Sequence, residues 1–160
     1  MEPKYALYLF LSLLIGCKNN QEKVILTSGR SMNPNEPRFG IELSETNLYY
    51  CEEIMTKRGT YKYYQGQMNS IIFLKIKTDL NKLFQEKILL DKIIDGTPYD
   101  LYFDFEERIY NTRFYYFFLN DNQSELIQKI ENFKKNKLTE IKYHFFPQEL
   151  LTQNLPKPPL

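Results

Sequence analysis

Tyr99-Asp100-Leu101-Tyr102-Phe103-Asp104-Phe105 sets a large apolar or aromatic side chain at every odd position and a polar or amphipathic one between. Period two is the repeat of a strand with one buried face, because successive side chains leave a pleated backbone on opposite sides. The break Asp95-Gly96-Thr97-Pro98 precedes this run and carries the residue types that end regular structure. Glu106-Glu107 then turns the chain into a strand expected over 109–119. Its segment Phe114-Tyr115-Tyr116-Phe117-Phe118-Leu119 is bulky at every position, which predicts a central strand covered in part on both faces. A helix is expected from Asn122, with Glu125 three residues on as a capping box and Leu126, Ile130 and Phe133 along one side.

The same pattern occurs upstream. Strands are predicted over 39–44, 48–54 and 60–65, joined by the turn chemistry of Ser44-Glu45-Thr46-Asn47 and Lys57-Arg58-Gly59. A helix capped by Asn69 or Ser70 follows, ending near Glu86. Ile72, Ile76, Leu80, Leu83 and Phe84 form its apolar stripe, and Lys75, Lys77, Asp79 and Lys82 its wet side. An apolar stretch over 88–94 comes next, and Ile141-Lys142-Tyr143-His144-Phe145-Phe146 could add an edge strand. The expected fold is α+β and two-layered, an antiparallel sheet of about five strands with two helices on one face, in the order βββα-ββα. The two halves share an arrangement and no residue-by-residue repeat.

The beginning of the chain is of another kind. Lys4 precedes an apolar run from Tyr5 to Ile15, the length of a signal-peptide hydrophobic region and short for a bilayer span. Leu14-Ile15-Gly16-Cys17 resembles the bacterial lipobox. The resemblance implies diacylglyceryl attachment to the Cys17 sulfur, cleavage between Gly16 and Cys17, and acylation of the new amino terminus. More than one acyl chain makes membrane binding stable. Lys18 follows the cysteine where an Asp would suggest inner-membrane retention, so the outer membrane of a Gram-negative bacterium is the expected location. The chain as a whole is similar to small lipoproteins of Bacteroidota, a resemblance that supplies a place and no activity. The expected organisation is a signal peptide over 1–16, a flexible tether over 17–38 rich in Asn, Ser, Pro and Gly, a globular domain over 39–151, and a Pro-rich tail over 152–160.

Composition narrows the function classes. The chain holds 12 Phe and 13 Tyr without a Trp, and a formal net charge of +1. A protein that lives on phosphate contacts carries a basic excess, so nucleic acid is not the expected partner. With Cys17 lipidated, Cys51 is a single thiol with no partner for a disulfide, expected as a small buried side chain.

Little catalytic chemistry is visible. His144 is the only histidine and has no second ligand at metal spacing, so no metal and no cofactor are expected. Asp104 and Glu106 would stand about 7 Å apart on one face of a continuing strand, a spacing that some glycosidases use. Glu106 and Glu107 fall in the turn, however, and Asp100 and Asp104 lie opposite the apolar face, as solvated groups do. No nucleophile elbow, P-loop or dinucleotide fingerprint occurs. Tyr49, Tyr61, Tyr63, Tyr64, Tyr102, Tyr110, Tyr115 and Tyr116 exceed what one core hides, and exposed Tyr suits binding surfaces. Tyr61, Tyr63, Tyr102 and Tyr116 are the candidate binding surface. The leading expectation is a non-enzymatic lipoprotein that binds an envelope protein as inhibitor, immunity protein or assembly accessory. The alternative is a glycan- or small-ligand-binding lipoprotein, with a hydrolase using Asp104 or Glu106 in third place.

Overall fold

The computed structural model describes residues 21–29, 33, 35–88, 96–106 and 108–147. The signal segment 1–16, the Gly16/Cys17 cleavage and lipidation site, the apolar residues 89–94 and the tail 152–160 lie outside the described residues.

The described chain forms β1 (Lys23–Ser28), β2 (Phe39–Ser44), β3 (Asn47–Glu53), β4 (Tyr61–Gln67), α1 (Ser70–Leu83), β5 (Tyr99–Phe105), β6 (Arg108–Phe114), α2 (Asp121–Glu131) and β7 (Thr139–Ile141). All seven strands join one sheet in the order β6-β5-β1-β2-β3-β4-β7, and every pair is antiparallel. One face packs against α1 and α2 through a single apolar cluster. The α+β, two-layer expectation therefore holds, with seven strands in place of five.

The largest correction concerns β1. Lys23–Ser28 falls within the stretch expected as a flexible tether, yet it is the middle strand, paired with β2 on one side and β5 on the other. Val24, Ile25 and Leu26 are all fully buried. Val24 and Leu26 enter the helix-side cluster, whereas Ile25 enters a second cluster on the opposite face. A strand buried on both faces has no alternation to betray it, only a short apolar run.

Three further expectations shift. The strand expected over 109–119 ends at Phe114, and Tyr116–Phe118 is a turn of 3-10 helix. β6 is also an edge strand: Tyr110, Thr112 and Phe114 are buried while Ile109, Asn111 and Arg113 face outward. The aromatic run is bulky throughout because a 3-10 turn packs it irregularly, not because two layers cover it. α2 is capped by Asn120, whose side chain accepts from the Gln123 N–H while Gln123 returns a bond to the Asn120 N–H. The capping box thus sits two residues ahead of the Asn122–Glu125 pair. In α1, Asn69 accepts from the N–H groups of Ile71 and Ile72, and the buried stripe is Phe73, Ile76 and Leu80. Ile72, expected inside, lies on the exposed side of that stripe.

The far end of α1 is held by β6 and α2. The Arg108 guanidinium donates to the carbonyls of Phe84 and Gln85, the Tyr110 hydroxyl donates to the Glu86 carbonyl, and Gln123 Nε2 donates to the Leu83 carbonyl. These carbonyls lie past the last helical turn or in it, where no intrahelical donor is left, and a cation there also meets the negative end of the helix dipole.

Candidate functional site

The sheet face away from the helices carries the aromatic residues of interest. Pairing aligns Arg113, Asp100, Thr27, Gly40, Cys51, Tyr63 and Ile141 in one row across the strands. The adjoining row is Asn111, Tyr102, Ile25, Glu42, Tyr49, Gln65 and Thr139. Side chains two apart on a strand share a face, so both rows line the same surface.

After β7 the chain turns back over this surface as a strap, residues 142–147. Inward and outward side chains alternate along it. His144 lies on Tyr49, ring centroids 3.7 Å apart and planes 4° from parallel. Phe146 is 3% exposed and packs with Ile25 and Cys51. Gly40 makes the seat: a Cβ there would stand 3.0 Å from both Cys51 Sγ and Phe146 Cδ1. Tyr143 and Phe145, at 61% and 63% exposure, point away from the sheet, Tyr143 leaning edge-on against Tyr63 at 5.1 Å. The result is an exposed aromatic ridge on a strap pinned by the buried Phe146 ring and the half-buried His144 ring.

Polar groups around this face are locked. Glu53 is almost fully buried and receives Arg38 Nη2 at 2.5 Å, Arg58 Nη1 at 2.6 Å and the Gly59 N–H at 2.8 Å. Burial pushes its carboxyl up, but these donors outweigh burial and hold it down at about 2. Arg38 also lies over the Tyr61 ring at 5.8 Å. Burial pushes the Tyr61 hydroxyl up to about 12 despite that cation. Asp100 accepts a bidentate pair from Arg113, at 2.9 and 3.0 Å. It is a buried, paired carboxylate and not the solvated group its position opposite the apolar face suggested.

The structure brings together three of the four candidate tyrosines in part. Tyr61, Tyr63 and Tyr102 are half-buried on this face and border one cluster. Tyr63 and Tyr102 are separated by four strand spacings, roughly 19 Å, with the strap between. Tyr116 does not belong with them. It packs on the helix-side core and donates its hydroxyl to Glu131 Oε1 at 2.6 Å. Tyr64 and Tyr110 also pack into that core. The most exposed aromatic residues on this face, Tyr143 and Phe145, were not singled out; the signal that points to them is alternation through 141–146, readable as an edge strand.

Candidate chemistry is sparse. Asp104 accepts from the Tyr102 hydroxyl at 3.3 Å, while Glu106 lies beyond the end of β5, its N–H donating to Glu22 Oε1 at 3.1 Å. The strand does not continue, so the two carboxylates do not share the face their spacing required. Burial pushes the Cys51 thiol up to about 12, which disfavours a thiolate nucleophile. His144 Nε2 is buried without a hydrogen-bond partner and lies 3.4 Å from Glu42 Oε1, a distance that suits an ion pair only for a protonated imidazole. Among the described residues no group of three or more His, Cys, Asp or Glu is placed to hold a metal ion. No helix among them is long and apolar enough to cross a membrane. Comparison with protein-family models and with curated protein sequences finds no match.

Proposed function

We propose that this chain is a bacterial envelope lipoprotein, held by lipid on Cys17 after cleavage behind Gly16, whose aromatic sheet face binds another protein. The lipobox-like Leu14-Ile15-Gly16-Cys17 supports the anchor, and Lys18 favours the outer membrane of a Gram-negative cell. The observation that carries the binding role is the outward pair Tyr143 and Phe145 on a strap whose His144 and Phe146 pack on the sheet. A strap already seated on the sheet has little backbone freedom left to lose on docking, and aromatic side chains are favoured in protein interfaces. The role is non-enzymatic: an inhibitor, immunity or assembly-accessory module. A glycan or small-ligand reading needs aromatics around a concavity. The clefts of about 450 and 1160 Å³ are lined by helix, turn and strand-end residues and by no tyrosine, which favours the protein-binding reading.

Two measurements test this. Cys17→Ser should abolish palmitate labelling and leave uncleaved precursor; unchanged labelling and processing defeats the anchor. For binding, the chain from Gln21 onward and its Tyr143→Ala/Phe145→Ala variant are immobilised and exposed to envelope extract. The variant should unfold at the same temperature yet lose a partner that the parent retains. An identical set of captured proteins would refute the aromatic ridge as the binding surface.

A further inference from the structure

Few residues separate Cys17 from the described fold. Gln21 follows Cys17 by four positions, a stretch that spans at most about 14 Å when fully extended. Gln21 and Glu22 lead into β1 and line a cleft of about 450 Å³ with Glu45, Ile71, Leu74 and Glu106. This cleft lies at the sheet end where β1 begins and where the β2–β3 and β5–β6 turns fall. A bilayer reached from Cys17 is therefore brought to this end of the domain.

The same end presents an apolar ridge. Ile71 is 77% and Leu74 60% exposed, with Ile72 at 40%. Residues three and four apart adjoin on a helix, so Ile71, Leu74, Lys75 and Thr78 share the outer side of α1 while Phe73, Ile76 and Leu80 face the core. Acidic groups nearby are Glu22, Glu45 and Glu106. Glu22 is neutralised by Lys77 Nζ at 2.5 Å.

We infer that this ridge is where the anchored domain rests on the lipid bilayer, with Ile71 and Leu74 seated at the acyl-chain boundary and Lys75 reaching the headgroup layer. The inference rests on the reading of Cys17 as lipidated. Two or three apolar side chains fall well short of the roughly 800 Å² per partner of a stable protein interface. They suffice on a membrane where the acyl chains have already set a high local concentration. With acids on its rim, the contact is apolar rather than an attraction to anionic lipid, and so should survive high salt.

The test uses the full lipidated chain in vesicles of phosphatidylethanolamine and phosphatidylglycerol. A nitroxide is placed by Leu74→Cys or, as a control in the β3–β4 turn at the opposite sheet end, by Lys57→Cys; buried Cys51 stays unlabelled. Collisions with oxygen and with a water-soluble paramagnetic reagent are read by power saturation, alongside palmitate labelling of Cys17. The expected result is a loss of water-reagent access and a gain of oxygen access at Leu74, unchanged in high salt, with Lys57 as wet as in solution. Equal wetness at both positions in palmitate-labelled protein overturns this inference and leaves the anchor standing. Absence of palmitate on Cys17 overturns the anchor and the inference together. Shielding of Leu74 without vesicles, rising with protein concentration, assigns the ridge to a second copy and overturns the bilayer contact.

Discussion

A chain that begins at Arg38 should not fold, although composition alone would place the domain boundary there. Such a chain lacks β1, whose Val24, Ile25 and Leu26 are fully buried. Burying side chains of this size stabilises by about 1.5–3 kcal/mol each, so their loss removes on the order of 5–9 kcal/mol. β1 also pairs five positions of β2 and six of β5, and its removal turns the facing backbone groups of both into unpaired ones next to an apolar core, at about 1–3 kcal/mol for each that stays dry. The whole stability of a domain this size is about 5–15 kcal/mol. The loss therefore matches or exceeds what is there to lose. Near-ultraviolet circular dichroism and urea unfolding compare chains starting at Gln21 and at Arg38. The first should give a single cooperative transition and fixed aromatic signals, the second neither. A synthetic peptide of residues 21–29 added to the shorter chain should restore part of both signals by filling the gap between β2 and β5. Cooperative unfolding of the Arg38 chain at the same urea midpoint would refute the placement of β1 at the sheet centre.

Other consequences are as direct. Phe146→Ala should cost about 3–5 kcal/mol, and Gly40→Ala about 1–3 kcal/mol by driving a methyl into Phe146 and Cys51; both should raise the labelling rate of Cys51 by a thiol reagent in the native protein, and an unchanged rate would show that the strap does not cover it. The Glu53 carboxyl, held down at about 2 in the fold, contributes stability that is fully present above the ordinary carboxylate range and is lost as pH falls from about 4.5 towards 2. The shift corresponds to about 3 kcal/mol, so the urea midpoint should drop over that window, and Glu53→Gln should lower stability at neutral pH while flattening the drop. Asn69→Ala removes the α1 cap and should cost about 1 kcal/mol, read as a lower thermal midpoint.

Where apolar residues alternate with polar or small ones, the sequence was legible. β2, β3, β4 and β5 were found within a residue or two on that alternation, even β2, whose small Gly40 and Ser44 mark the second face although five of its six residues are buried. The failures have particular physical reasons. β1 is buried on both faces, so it reads as three apolar residues in polar company. The run 114–119 is bulky in sequence, but side chains of a 3-10 turn radiate from one point instead of lying on two faces. Asp100 looked solvated because its partner, Arg113, comes from the neighbouring strand 13 residues away. Tyr116 was grouped with Tyr61 by residue type, but it falls in the 3-10 turn past the end of β6 and packs on the helix-side core, whereas Tyr61 borders the cluster on the opposite face. The strap depends on Gly40, which no local pattern connects to Phe146.

The strap and the proposed anchor bear on one another through the same register. Along β1, Lys23, Ile25 and Thr27 point to one face at successive steps of about 6.6 Å. The Lys23 level adjoins the cleft lined by Gln21, the Ile25 level holds Tyr49 under His144, and the Thr27 level holds Gly40 under Phe146 and Tyr63 beside Tyr143. The aromatic ridge therefore stands about 7–13 Å above the sheet end where β1 begins, on the side wall of the domain and not at its tip. With that end resting on a bilayer, Tyr143 and Phe145 would face sideways, close to the membrane plane. A soluble ligand approaching from above would meet the far turns first, Met55 to Thr60 among them. A partner held in or on the same membrane would meet the aromatic ridge. Under the proposed lipid anchor this geometry favours a neighbour in the envelope over a diffusing ligand, and a partner offered in solution should be captured far less well than the same partner offered on vesicles that carry both proteins.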